Sequence, residues 1–276
     1  MQKVDRLGWA AGFSLKTYGV RIGIRVNNAD WLDRIWQHLP SASELVASPI
    51  VDRLYSIVIG DKAPRGNVRR FNLVYSDHTR LARSTKVDEV LELLESDLRL
   101  FVAELAPRRV FVHAGVVSWK GKAIVIPGRS YSGKTTMVSE LVKAGATYYS
   151  DEYAVFDARG RVHPFPKPLE LRSSGEWKQT KTAVEKLGGH TGTKPIPLGL
   201  VMVTQFKAGA KWRPRELSPG KAVLELLSHT VSARRHPEKA LAALRHAVSE
   251  AKVIKGVRGE ASELTRSVLA RLEKNA

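Results

Sequence analysis

Residues 20–26 alternate strictly. Val20, Ile22, Ile24 and Val26 fall on one face, and Arg21 and Arg25 on the other. A period of two marks a half-buried strand, here closing the segment 13–26. Residues 29–38 read as a short helix with Asn28 at its N-cap. Short strands are predicted at 55–59 and 70–75, around the turn-rich 60–67. From 87 to 105, leucines and valines recur at helical spacing with acidic residues between them, and Pro107 ends the pattern.

The pattern changes at residue 110. Residues 110–119 form an apolar, strand-like run, and Lys120-Gly121-Lys122 is a tight turn. Residues 123–126 (AIVI) are fully apolar, as a strand covered on both faces should be. A helix over 135–144 and a strand over 146–150 follow. The stretch 155–162 holds the hairpin turn Asp157-Ala-Arg-Gly160, and 196–206 is another buried strand. Helices are predicted from Ser218 or Pro219 to 227, over 237–251 and over 260–273. There is no internal repeat. The expectation is a smaller α+β region over 1–106, serving substrate recognition, and an α/β domain with a mixed sheet over 107–276.

Composition narrows the chemistry. The chain has 276 residues and no cysteine. Disulfide scaffolds, thiolate metal sites and a cysteine nucleophile are excluded. No run reaches the roughly 18 apolar residues of a membrane span. Residues 7–15, after Lys3 and Arg6, are broken by two glycines and a serine and lack a cleavage signature, so no membrane partner and a cytoplasmic location are expected. The net charge is +18: residues 1–160 contribute +6 (23 basic, 17 acidic) and residues 161–276 contribute +12 (22 basic, 10 acidic). The excess suits an acidic partner. Lys207, Lys211, Arg213, Arg215, Arg234 and Arg235 are the positions a nucleic acid would use, but no nucleic-acid motif accompanies them.

The sharpest signal is Gly128-Arg-Ser-Tyr-Ser-Gly133-Lys134-Thr135, a G-x-x-x-x-G-K-[ST] loop between a predicted strand and a predicted helix. The glycines let the backbone curl, so that N–H groups and the helix N-terminus face a phosphate. Gly128, Ser130, Ser132, Gly133, Lys134, Thr135 and Thr136 are the expected nucleotide-binding residues. Lys134 brings a compact charge to the β/γ-phosphates, and the Thr135 hydroxyl suits Mg²⁺. Arg129 and Tyr131 are expected at the solvent-facing tip.

Asp151 and Glu152 follow only 17 residues after Lys134, across one helix and one strand. The first strand after the loop helix therefore delivers two carboxylates to the sheet edge that carries the loop. Mg²⁺ coordination or proton abstraction is the chemistry such groups offer there. His113 sits in the apolar run 110–117. It would partner a carboxylate if its strand neighbours that of the loop.

These residues together resemble HPr kinase/phosphorylase. His113-Ala-Gly-Val-Val, the loop from Gly128 to Thr136, and Ala-Gly-Ala-Thr-Tyr-Tyr-Ser-Asp151-Glu152 follow one another in that family's order. The loop is also similar to that of ATP-dependent phosphoenolpyruvate carboxykinase, whose nucleotide fold the family shares. The resemblance covers residues 113–156. It implies an HPr-kinase-like P-loop core, ATP and Mg²⁺ as cofactors, and phosphate transfer to a serine or other hydroxyl of a protein or peptide. Carried over by position, Lys134 and Thr135 bind phosphates and metal, and Asp151 is the general base. Glu152 helps hold metal, and His113 supports Asp151. A homo-oligomer is compatible with the family. The sequence departs from it at Arg129, where the family has an acid, and at Glu152, where it has a second aspartate. Glu170-Leu-Arg172-Ser-Ser-Gly175 only faintly echoes the family's downstream glutamate-isoleucine-arginine-glycine signature, and lies closer to the core than that signature does. A small-molecule hydroxyl kinase and a non-catalytic nucleotide-binding regulator are the alternatives.

Overall fold

A computed structural model describes residues 3–60, 70–129, 132–172 and 179–274. The chain divides into two compact units, residues 1–108 and 109–276. Both are mixed α/β. No helix among the described residues is long and apolar enough to cross a membrane.

The first unit contains β1 (Ala11–Thr17), β2 (Val20–Val26), α1 (Leu32–Trp36), β3 (Ser43–Val46), β4 (Arg53–Val58), β5 (Asn72–Ser76), β6 (Thr79–Ser84) and α2 (Val87–Leu105). Its sheet runs β3-β1-β2-β4-β5-β6, with β2 and β4 parallel and the other neighbours antiparallel. The alternation in β2 buries Val20, Ile22, Ile24 and Val26. Asn28 accepts from the Asp30 amide at 3.0 Å, but the turn it caps is 3₁₀ over Ala29–Trp31 before α1 begins. The stripe Val90, Leu91, Leu94, Leu98 and Val102 of α2 is fully buried, and α2 packs on β5 and β6. That burial is what ordered the helical spacing in the sequence.

The second unit contains β7 (Val110–Trp119), β8 (Lys122–Pro127), α3 (Lys134–Lys143), β9 (Thr147–Ser150), β10 (Tyr153–Phe156), β11 (Val162–His163), β12 (Leu169–Arg172), β13 (Gln179–Thr182), β14 (Leu198–Phe206), β15 (Arg215–Glu216), α4 (Pro219–Leu227), α5 (Pro237–Val248), β16 (Lys252–Arg258) and α6 (Ala261–Lys274). Its main sheet runs β11-β10-β7-β8-β14-β16-β15, with β9 also on β7. The strands β8, β14 and β16 are parallel to one another. Both β8 and β9 are antiparallel to β7, so β9 points the same way as β8. The ends of β8, β9, β14 and β16 therefore open on one edge, where open α/β sheets bind ligands.

Side chains of β8 alternate between two cores. Ala123 and Val125 pack with Ala222, Leu226, Ala243 and Leu244 of α4 and α5. Ile124 and Ile126 pack with Met137, Leu141, Leu264 and Val268 of α3 and α6. A strand covered on both faces has no polar side to show, which is why AIVI carries no alternation. Space under α3 is tight: a Cβ at Gly115 of β7 would lie 2.5 Å from Val138 Cγ2.

Candidate functional site

The glycine-rich segment joins β8 to α3. Gly133 is the N-cap of α3, with φ 82° and ψ 21°, a left-handed conformation that glycine adopts without penalty. The first N–H groups of α3 lack intrahelical partners and open on the strand-end edge. The Lys134 ammonium donates to the Arg129 carbonyl at 2.7 Å, folding back on its own loop. Burial pushes its pKa down, while the charges of Asp151 and Glu152 push it up. The Ser132 amide donates to the same carbonyl at 3.2 Å. Thr136 is exposed on the first turn of α3. Ser130 and Tyr131 lie outside the described residues.

Asp151 and Glu152 occupy a bend between β9 and β10, two segments that pair with the same edge of β7. Ser150 organises that bend: its hydroxyl accepts from the amides of Glu152 (3.1 Å) and Tyr153 (3.0 Å). The chain thus continues as strand on both sides of the acidic pair. Asp151 is only 8% exposed. Its Oδ2 accepts from the Thr135 hydroxyl at 2.8 Å. Its Oδ1 is buried with no hydrogen-bond partner among the described residues. Burial raises its pKa to about 6, against the Thr135 hydrogen bond and the charges of Lys167 and Lys134.

Lys134, Thr135, Thr136, Asp151, Glu152 and His113 share one cleft of about 580 Å³. His113 lies on β7, the neighbour of β8, and is in register with Tyr153 of β10. Its ring sits 4.8 Å from that of Tyr153. No hydrogen bond joins His113 to Asp151 among the described residues. Desolvation lowers the His113 pKa; the Glu152 charge opposes this and the Lys134 charge adds to it. Its backbone is tied to the loop instead, since the Gly128 amide donates to the His113 carbonyl at 3.2 Å.

Sequence reasoning missed Lys167. Its side chain is 15% exposed, and its ammonium lies 3.3 Å from Glu152 Oε2 and 3.3 Å from Glu170 Oε1. Pro164, Pro166 and Pro168 alternate around it, and three fixed φ angles make an extended, stiff segment. The Tyr148 hydroxyl donates to the Lys167 carbonyl at 2.8 Å, and the Phe165 amide to Tyr149 at 3.0 Å, pinning the segment across β9. The alternating prolines are the signal that could have found it. Glu170, whose position in the sequence is too near the core for the family's signature, lines the same cleft. Residues 173–175 of that faint echo lie outside the described residues.

A second cavity of about 700 Å³ flanks the other side of the loop. Gly128, Arg129, Ser132, Arg213, Arg215 and Lys255 are among its lining residues. Lys255 is ion-paired with Glu225. Two of the arginines a nucleic acid would use, Arg213 and Arg215, thus stand beside the loop, whereas Arg234 and Arg235 are exposed outside both cavities.

Oxygen donors of the kind Mg²⁺ takes, the Thr135 hydroxyl and the Asp151 and Glu152 carboxylates, line this cleft, and the buried Asp151 Oδ1 has unused accepting capacity. Among the described residues no group of three or more His, Asp or Glu side chains is gathered closely enough to hold a metal ion by itself.

No protein-family model matches the chain. No curated protein matches it. Among solved structures, the chain is similar to the Hpr(Ser) kinase/phosphatase from Coxiella burnetii, at 13% identity and a TM-score of 0.34, over 59% of this chain and 95% of that one.

Proposed function

We propose that the second unit is a P-loop kinase of the HPr-kinase-like group, moving the γ-phosphate of ATP to a serine or other hydroxyl of a protein or peptide. One observation carries this reading. The hydroxyl that follows the loop lysine, Thr135, is bonded to the buried carboxylate of Asp151, at the mouth of a helix whose first amides have no intrahelical partner. A loop that merely turned a strand into a helix would not need that acid there, with an unpartnered oxygen and a raised pKa.

The division of labour follows from position. The amides of the loop and of the first turn of α3 would hold the phosphates, with Lys134 turning from the Arg129 carbonyl onto them. Thr135, Asp151 and Glu152 would hold Mg²⁺, which when bound would supply charge neutralisation for the polyphosphate. A carboxylate with a pKa of about 6 is mostly ionised at neutral pH and close enough to it to accept a proton. The Asp151 carboxylate would take the proton of the acceptor hydroxyl. Lys167 fixes the Glu152 carboxylate and moderates the field of Glu170. The basic cavity beside Arg213 and Arg215 suits acidic residues of a peptide acceptor.

The test is transfer of labelled γ-phosphate from Mg·ATP to candidate peptides. Wild type transfers label and Asp151→Asn loses about 10²–10⁴-fold of the rate, the contribution of a positioned base. Full transfer by the variant would remove Asp151 from the base role. Label transfer to a metabolite and to no peptide would select the small-molecule reading.

A further inference from the structure

Arg258 ends β16, in register with Phe206 at the end of β14. Because β16, β14 and β8 are parallel, Arg258 emerges on the same edge as the loop, although 125 residues of chain separate it from Gly133. It is 3% exposed. One Nη2–H donates to the Gly133 carbonyl at 3.2 Å, and Nη1 donates to the Gly259 carbonyl at 3.1 Å. Its Nε is buried with no partner among the described residues. A Cβ at Gly133 would lie 2.3 Å from Nη2, so the guanidinium fills the space under the loop that glycine leaves.

Among the described residues no carboxylate makes an ion pair with this guanidinium; Glu260 acts only at longer range, while burial lowers the Arg258 pKa. The Phe206 ring lies 5.3 Å from its guanidinium carbon, and a ring face compensates a cation only weakly. A buried cation without a contacting carboxylate is costly, and this one sits at the N-cap of α3, where amides without intrahelical partners already favour an anion. Neutral side chains could brace the same two carbonyls without that penalty.

We propose that Arg258 is a positioning residue for anion binding by the loop, and that the pyrophosphate portion of a nucleoside di- or triphosphate is its counter-charge. The inference rests on the phosphate-binding reading of residues 128–135. Through the Gly133 carbonyl, Arg258 both fixes the left-handed N-cap and polarises the peptide whose N–H belongs to Lys134. Its charge lowers the free energy of any polyphosphate held by the first turn of α3.

Calorimetric titration of the full chain with inorganic pyrophosphate, and separately with Mg·ADP, tests this. Wild type, Arg258→Met and Arg258→Lys are compared at a temperature where circular dichroism shows all three folded. Removing the charge weakens pyrophosphate binding about 30-fold or more, as loss of one partner of a buried charge pair does. Arg258→Lys, which keeps the charge and loses the two-carbonyl fork, retains most of the affinity. A brace with no electrostatic part would make the Met and Lys variants lose affinity alike, or leave the Met variant unchanged; either result overturns the proposal. If Arg258→Met does not fold, Arg258→Lys decides alone: retained affinity supports the charge role and lost affinity overturns it. Wild type that binds pyrophosphate but no adenine nucleotide would defeat the kinase reading and leave Arg258 in place. Wild type that binds neither defeats both.

Discussion

Replacing Asp151 by asparagine should stabilise the second unit while slowing transfer about 10²–10⁴-fold. Burial raises the carboxyl from the 3.8 of an unperturbed aspartate to about 6. The difference, 6 − 3.8 = 2.2, multiplied by 1.36 kcal/mol per pKa unit, is about 3 kcal/mol. The sign follows from linkage. The folded pKa lies above the unfolded one, so between pH 3.8 and 6 the unfolded chain releases its proton first. Stability therefore falls as pH rises through that window, and the loss is complete above about 7. The amide of the Asp151→Asn variant has no proton to lose in this range, and its oxygen can still accept from Thr135. The stability difference, variant minus wild type, should grow by about 3 kcal/mol between about pH 3 and pH 7 and then stay level. The assay is urea unfolding in EDTA, read by pulse hydrogen exchange on peptides from β7 and β8, so that the signal belongs to the unit holding Asp151. A difference that stays flat with pH, or a variant less stable than wild type at about pH 7, would refute the reasoning. The first result would mean that the carboxylate is not desolvated; the second, that its charge is offset by contacts the amide cannot replace.

Three further outcomes follow. Gly133→Ala places a Cβ at φ 82° and 2.3 Å from Arg258 Nη2, so thermal unfolding should show a loss of about 1–3 kcal/mol; an unchanged midpoint would show that the N-cap relaxes freely. Lys167→Met removes a cation that lowers the Asp151 pKa, so the acidic limb of the pH–rate profile should move to higher pH, and a limb that stays in place counts against Lys167 tuning the base. Asp157 tests a structural cluster on the β10–β11 hairpin. Burial raises its pKa, but hydrogen bonds from His163, Arg161 and Arg159 outweigh that and hold it at about 2. A folded pKa below the unfolded one stabilises above about pH 4 and loses that stabilisation as pH falls to about 2; Asp157→Asn should be the flatter of the two in acid unfolding, and equal slopes would contradict the cluster's role.

Much was legible in the chain because local physics wrote it there. The apolar spacing of α2 gave Val87–Leu105 without error, since one face of that helix is buried and the other is wet. Strands β7 and β8 stood out as apolar runs because both faces of their sheet are covered. The glycine-rich loop was readable because curling a backbone around an anion demands particular residues at fixed offsets. Strand β16 was not legible: Lys252-Val-Ile-Lys-Gly-Val-Arg258 mixes charge and glycine through its length, and its strand character comes from pairing with β14.

What only the tertiary structure decided is convergence. Lys167 meets Glu152 and Glu170 because three prolines hold its segment across β9. His113 turns its ring to Tyr153, a partner chosen by strand register. Arg258 reaches Gly133 because three parallel strands end on one edge, a distance in sequence that no local pattern encodes. Residue types and short spacings record what a segment needs from water and from its own backbone. Which charges share a cleft, and which stay unpaired there, is settled by strand order and direction, and those emerge only when the sheet is assembled.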